Sequence, residues 1–190
     1  MANKDAAFGF APIGKIGGNA PGKLGEYQVA ASQSALFQGD AVKPTGGYAV
    51  VATEGADVLG VFWGANYDDP TTNKPIFKNN LPSVAAVADV FVYDDPYQVF
   101  EVQGDGASAR TDLLRYMDIN VAGTGNSTTG ISAQEAKVST VGANGQLAIT
   151  GVTATPGRND IGSANLTYTC LLSEHTYATV SYTHLRAHET

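Results

Sequence analysis

The chain has 190 residues, one cysteine, 18 acidic against 11 basic side chains and a formal net charge of -7. That length can bury about 70% of the surface exposed by the unfolded chain, so neither disulfide staples nor a structural metal is needed to hold a core. The acidic balance repels a phosphate backbone and argues against a nucleic-acid partner, and no run approaches the ~20 apolar residues of a membrane-spanning helix. Charged residues at 15% with 22 glycines point to a strand-rich, well-covered body.

Residues 1–25 hold Gly9, Gly14, Gly17, Gly18, Gly22 and Gly25 with Pro12 and Pro21, and show neither helical nor alternating periodicity. This composition predicts an extended N-terminal arm. Phe8, Phe10, Ile13 and Ile16 would be costly in a wholly solvated segment, so the arm is expected to dock on its own body or on a neighbouring subunit. The stretch has Lys4 but no apolar run of the kind an export signal carries, so none is expected within it. Gly17 to Lys23 satisfies GxxxxGK spacing, but Leu24 stands where Ser or Thr would hold a magnesium ion and a strand, EYQVA, follows where a helix is required.

From Glu26 the pattern becomes that of short strands between turns. Expected strands cover 26–30, 35–42, 48–52 after Gly46-Gly47, 58–63 with Gly60 as a bulge candidate, 84–93 and 99–103. Asp94-Asp95-Pro96 reads as a tight turn joining the last two as paired strands. Ser108 to Met117 is the one helix-like segment, since Ala109, Leu113 and Tyr116 recur at i, i+4, i+7 and Ser108 could cap it. Strands over 137–140, 147–153 and 166–172 complete a β-rich body at 26–179. The predicted fold is all-β, a sandwich or barrel of about eight to ten short strands with one short helix.

Residues 180–190, VSYTHLRAHET, read differently. The transposase recognition sequence TCTTATACACATCT translates to Ser-Tyr-Thr-His-Leu, so this tail is taken as adapter-derived and the native C-terminus is expected to be missing. His184 and His188 lie within it at a spacing that would suit a metal on a helix; without them His175 is the sole histidine.

The remaining chemistry-bearing residues have plain readings beside functional ones. Tyr-Asp-Asp-Pro occurs at 67–70 and 93–96, where paired carboxylates could bind calcium or divide acid and base roles, yet Asp and Pro also make ordinary turns and neither copy has alternating calcium ligands. His175 lacks a nucleophile elbow to serve, Cys170 sits in the strand-like run LTYTCLL, and Trp63 beside Phe62 could stack on a sugar or fill a core. Asn126 and Asn165 begin glycosylation sequons but read as loop and strand residues. No catalytic, cofactor-binding or metal-binding residue is nominated.

Four segments in order, MANKDAAFGFAPIGKIGG, EYQVAASQSALFQGDAVKP, VFVYDDPYQVFEVQ and PGRNDIGSANLTYTCLLSEHTYA, resemble the MANxDAPxGFxPV, YxVPASDSTALFxGDPV, VxVxDDPxxxFEVQ and RPDNxxGxxAxxxVxINxHxY patterns of a family of small tailed-bacteriophage proteins encoded near the major capsid gene. Ala7 departs from the usual Pro, and Cys170 stands where an aliphatic residue is common. The resemblance implies a virion structural protein of capsid decoration or cement type. It would have no enzymatic activity and would sit on the capsid surface after a period in the host cytoplasm. Its partners would be the major capsid protein and copies of itself in a homo-oligomer. The alternative is a head- or tail-borne attachment module that binds host glycans; a wall hydrolase using Asp94, Asp95 or Glu101 is the remaining rival.

Overall fold

The computed structural model describes residues 2–18, 22–83, 86–123 and 125–178; the predicted adapter tail and its two histidines lie outside them. Fourteen strands form among these residues: β1 Ala11–Lys15, β2 Leu24–Val29, β3 Leu36–Phe37, β4 Ala41–Thr45, β5 Tyr48–Val51, β6 Gly60–Asp68, β7 Pro75–Lys78, β8 Asn80–Leu81, β9 Ala88–Tyr93, β10 Gln98–Gln103, β11 Tyr116–Asn120, β12 Glu135–Gly142, β13 Leu147–Val152 and β14 Thr167–Leu172. The fold is all-β and sandwich-like. The count exceeds eight to ten because the arm contributes β1, the run at 35–42 breaks into two at Gly39-Asp40, and several strands are only two to four residues long.

One antiparallel sheet has the order β1-β10-β14-β13-β11-β12. The other runs β2-β9-β6-β4-β5, with β7 also paired to β6. Alternation drives the first sheet: Phe100 and Val102, Met117 and Ile119, Leu147 and Ile149, and Tyr168, Cys170 and Leu172 all point inward and are at most 3% exposed. This sheet curls until Gly104 bridges Ala136 of β12, enclosing a core that Ala41, Val61 and Tyr93 of the second sheet complete. The second sheet also curls, bringing β5 near β2, around a separate core of Val29, Leu36, Val42, Leu59, Phe62, Val90 and Val92. Gly46 and Gly47, at φ +58° and +86°, make the two-residue hairpin turn between β4 and β5, where both positions need the left-handed region.

Three local expectations are corrected. Ser108 to Met117 is not a helix: only Arg110–Asp112 forms a single 3-10 turn, closed by Asp112 Oδ2 accepting from Ala109 N at 2.6 Å. Leu113 is already extended, Leu114 has φ +60° and is 81% exposed, and Tyr116 enters β11. Three residues at helical spacing are weak evidence against a strand whose Met117 and Ile119 are both fully buried in the core. Asp94-Asp95-Pro96 does turn the chain, but β9 and β10 belong to different sheets and do not pair, because turn chemistry fixes a reversal without choosing a partner. The β6 bulge sits between Phe62 and Gly64, not at Gly60, which pairs with Val42.

Candidate interaction surface

The N-terminal segment lies against its own body. Asn3, 7% exposed, clamps the loop before β14: its Nδ2 donates to Asp160 O (3.0 Å) and Ala164 O (2.9 Å), and its Oδ1 accepts from Asp160 N (2.8 Å). Two buried glutamines at the ends of β10 hold the rest. Gln103 accepts from Ala6 N (3.1 Å) and donates to Lys4 O (2.7 Å), while Gln98 donates to Gly14 O and accepts from Gly22 N (2.6 Å). Such side chains satisfy backbone groups that an added edge segment would otherwise leave unpaired. At Gly9, φ +68°, a Cβ would meet Gly39 O and Ser132, so only glycine lets the segment cross there.

The four apolar residues of this segment have separate fates. Phe10 is 2% exposed and packs edge-on to Phe100 with ring centroids 6.3 Å apart, so it belongs to the core. Phe8 is half-buried beneath the Arg158 guanidinium, 5.0 Å from the ring centre, which suits a cation over an aromatic face. Ile13 and Ile16 remain 45% and 59% exposed. Ile16 N donates to Tyr97 O at 3.0 Å, placing it beside a tyrosine that is itself 63% exposed. A firmly held segment therefore presents two aliphatic side chains to solvent, beside an exposed tyrosine on the turn that precedes β10.

This surface cannot readily extend the sheet. β1 is an outer strand, but Pro12 lacks an N–H and the register shifts between Pro12 and Gly14. Proline and bulges blunt an edge against strand addition, so contact here is made by side chains. Pro75 has the same place on the outer strand β7.

Beside this segment runs a groove of about 660 Å³ between residues 6–8, the 125–133 loop and Arg158. It adjoins an apolar slot of about 210 Å³ lined by Phe10, Pro12 and Trp63, the two sharing Phe8 and Ile131. The loop is internally braced: Asn126 Oδ1 accepts from Thr128 N (2.8 Å) and Thr129 N (3.2 Å), and Asn79 Nδ2 donates to Thr129 O (2.9 Å). Below it, Ser132 Oγ donates to Asp40 Oδ1 at 2.6 Å and Phe37 N donates to Asp40 Oδ2 at 2.8 Å. Burial raises the Asp40 carboxyl to about 6, against the lowering effect of these two bonds.

The other residues singled out in the sequence are dispersed. Both Tyr-Asp-Asp-Pro copies are turns: Asp69 Oδ1 accepts from Thr71 N (2.8 Å), and Asp95 Oδ1 from Tyr97 N (2.9 Å). Asp94 Oδ2 accepts the Tyr27 hydroxyl at 2.6 Å, whereas Glu101 lies within β10 and accepts from Thr153 Oγ1 at 2.6 Å. Asp95 also faces Lys15 at 3.9 Å. His175 is 1% exposed, accepts Tyr177 N at Nδ1 (3.1 Å) and has its pKa lowered by desolvation, against the pull of Asp94 and Asp95. Cys170 is fully buried and its thiol is pushed up to about 12 by desolvation. Trp63 is half-buried: it packs edge-on to Tyr93 at 5.5 Å and against the core, and it also borders the slot. Among the described residues no three His, Cys, Asp or Glu side chains converge as metal ligands would.

Sequence reasoning did not place Arg158 against Phe8 or Asp40 against Ser132. These pairs lie 150 and 92 residues apart in the chain, beyond the reach of any local pattern. No protein-family model, curated protein or solved structure matches the chain.

Proposed function

We propose that this protein is a bacteriophage virion component that decorates or cements the capsid, gripping the major capsid protein or a sister subunit through the exposed side of its N-terminal segment. The observation that supports the reading is the solvent-facing set of Ile13 and Ile16, carried on a segment whose other side is locked to the body by Asn3, Gln98 and Gln103, together with Tyr97 on the adjoining turn before β10. Fully burying an aliphatic side chain of this kind is worth about 1.5–3 kcal/mol, and a preorganised segment loses little further entropy on docking. Many weak contacts of that size, repeated over a lattice, give firm attachment by avidity. The net charge of -7 keeps free subunits soluble and apart from packaged DNA. The four segments resembling the phage family bring the same reading from the sequence side.

The test is the double substitution Ile13→Asp with Ile16→Asp. Both side chains are exposed, so the fold should survive, as a melting curve within a few degrees of wild type would show. Occupancy on purified capsids, read by electron cryomicroscopy, should fall to background; undiminished occupancy would refute the assignment of this face.

A further inference from the structure

We propose that the groove beside Phe8 is a binding site for an acidic sugar, a pyranose bearing a carboxylate, taken from an oligosaccharide; this goes beyond the capsid reading and does not depend on it. The argument begins with Arg158. Its guanidinium is stacked on Phe8, and its backbone is fixed by Thr167 N donating to Arg158 O at 2.9 Å. Of the five N–H donors of a guanidinium, one is engaged among the described residues, by Ala6 O at 3.4 Å. The side-chain ion pairs among the described residues are Lys15–Asp95 and Lys137–Glu54, so among those residues no carboxylate pairs with Arg158. In a chain with seven more acids than bases, a positioned arginine on a groove lined otherwise by uncharged residues is a local inversion of sign. A planar fork of this kind matches a carboxylate in two-point contact.

The rest of the groove selects the kind of carboxylate. Ser127 and Thr129 are exposed on the braced loop opposite Arg158, offering short hydroxyls that both donate and accept, as sugar hydroxyls require. Next to them the slot is lined by the apolar side chains of Trp63, Phe8 and Pro12, against which the C–H face of a pyranose can pack. An extended peptide would gain further affinity from backbone pairing at a strand edge. The edge at hand is β1, where Pro12 and the adjoining register shift remove that ladder. The combined volume, about 660 Å³ beside about 210 Å³, accommodates a short oligosaccharide lying across both.

Titration of the full chain with trigalacturonate and with 3′-sialyllactose, followed by amide chemical shifts, tests the site. At least one of the two should bind, with shifts confined to residues 6–8, 126–131 and 158, and the trigalacturonate methyl ester and plain lactose should not. Arg158→Gln should weaken binding at least about tenfold, and Arg158→Lys nearly as much, since the charge is kept but the fork is lost. Ser127→Trp, which fills the groove from an exposed loop position, should abolish binding without lowering the melting temperature, and keeps the test valid if the Arg158 variants fold poorly. Failure of both acidic glycans to bind, equal binding of the neutral ones, or equally tight binding of oligoglutamate overturns the proposal. Capsid occupancy of Ser127→Trp would remain at the wild-type level whichever way this falls.

Discussion

The integration of the N-terminal segment into the body can be measured at a single residue, Phe10. Replacing it with alanine removes a ring that is 2% exposed and in contact with Phe100. The loss combines the transfer free energy of the ring with an unfilled cavity and a broken aromatic pair, together about 3–5 kcal/mol for a buried Phe→Ala change. In a chain of this size each kcal/mol moves the midpoint by about 2–4 °C, so the melting temperature should fall by roughly 6–20 °C. Urea unfolding followed by tryptophan fluorescence reads the same quantity through Trp63, which packs against this core. The midpoint should drop while the slope is retained, because the segment unfolds together with the body. Ile16→Ala, at a position 59% exposed, is the internal control and should stay within about 0.5 kcal/mol. A Phe10→Ala cost under about 1 kcal/mol, or a separate early transition in wild type, would show that residues 2–18 are an independent tail and that the reasoning from Asn3, Gln98 and Gln103 is wrong.

Other outcomes follow from buried groups. Asp40 has its carboxyl raised from 3.8 to about 6 by burial, so the folded state holds its proton more tightly than the unfolded one. Its contribution is fully present below about pH 4 and is lost as pH climbs through 6, a swing of about 3 kcal/mol at 1.36 kcal/mol per pH unit. Asp40→Asn can still meet Phe37 N and Ser132 Oγ, and it should flatten this part of the profile; melting temperatures of the two proteins from pH 4 to 8 should diverge in the variant's favour as pH rises, and parallel curves would contradict the burial argument. Cys170, 0% exposed with a thiol pushed up to about 12, should resist a thiol-reactive disulfide reagent at pH 8 in the native protein and react at once in urea. Rapid native labelling would place it outside the core.

Local sequence carried the strand content and much of the punctuation. The strand-like run LTYTCLL is β14 with Cys170 buried in it, the break at Gly46-Gly47 does separate two strands, and both Tyr-Asp-Asp-Pro segments proved to be turns held by aspartate oxygens on nearby amides. These features arise from interactions within a few residues, so they are visible in the order of the residues. The tertiary structure alone decided which strands meet. It converted the end of Ser108–Met117 into β11 because pairing with β12 and β13 buries Met117 and Ile119, a gain the local helical pattern does not contain. It separated β9 and β10 into different sheets across a turn that either arrangement could use. It divided the arm's apolar set, assigning Phe10 to the core and leaving Ile13 and Ile16 in solvent, and it brought Arg158 over Phe8 from the far end of the chain. Each of these outcomes is a choice among distant partners, settled by how much apolar surface the closed sheets cover together, and that quantity belongs to the whole fold.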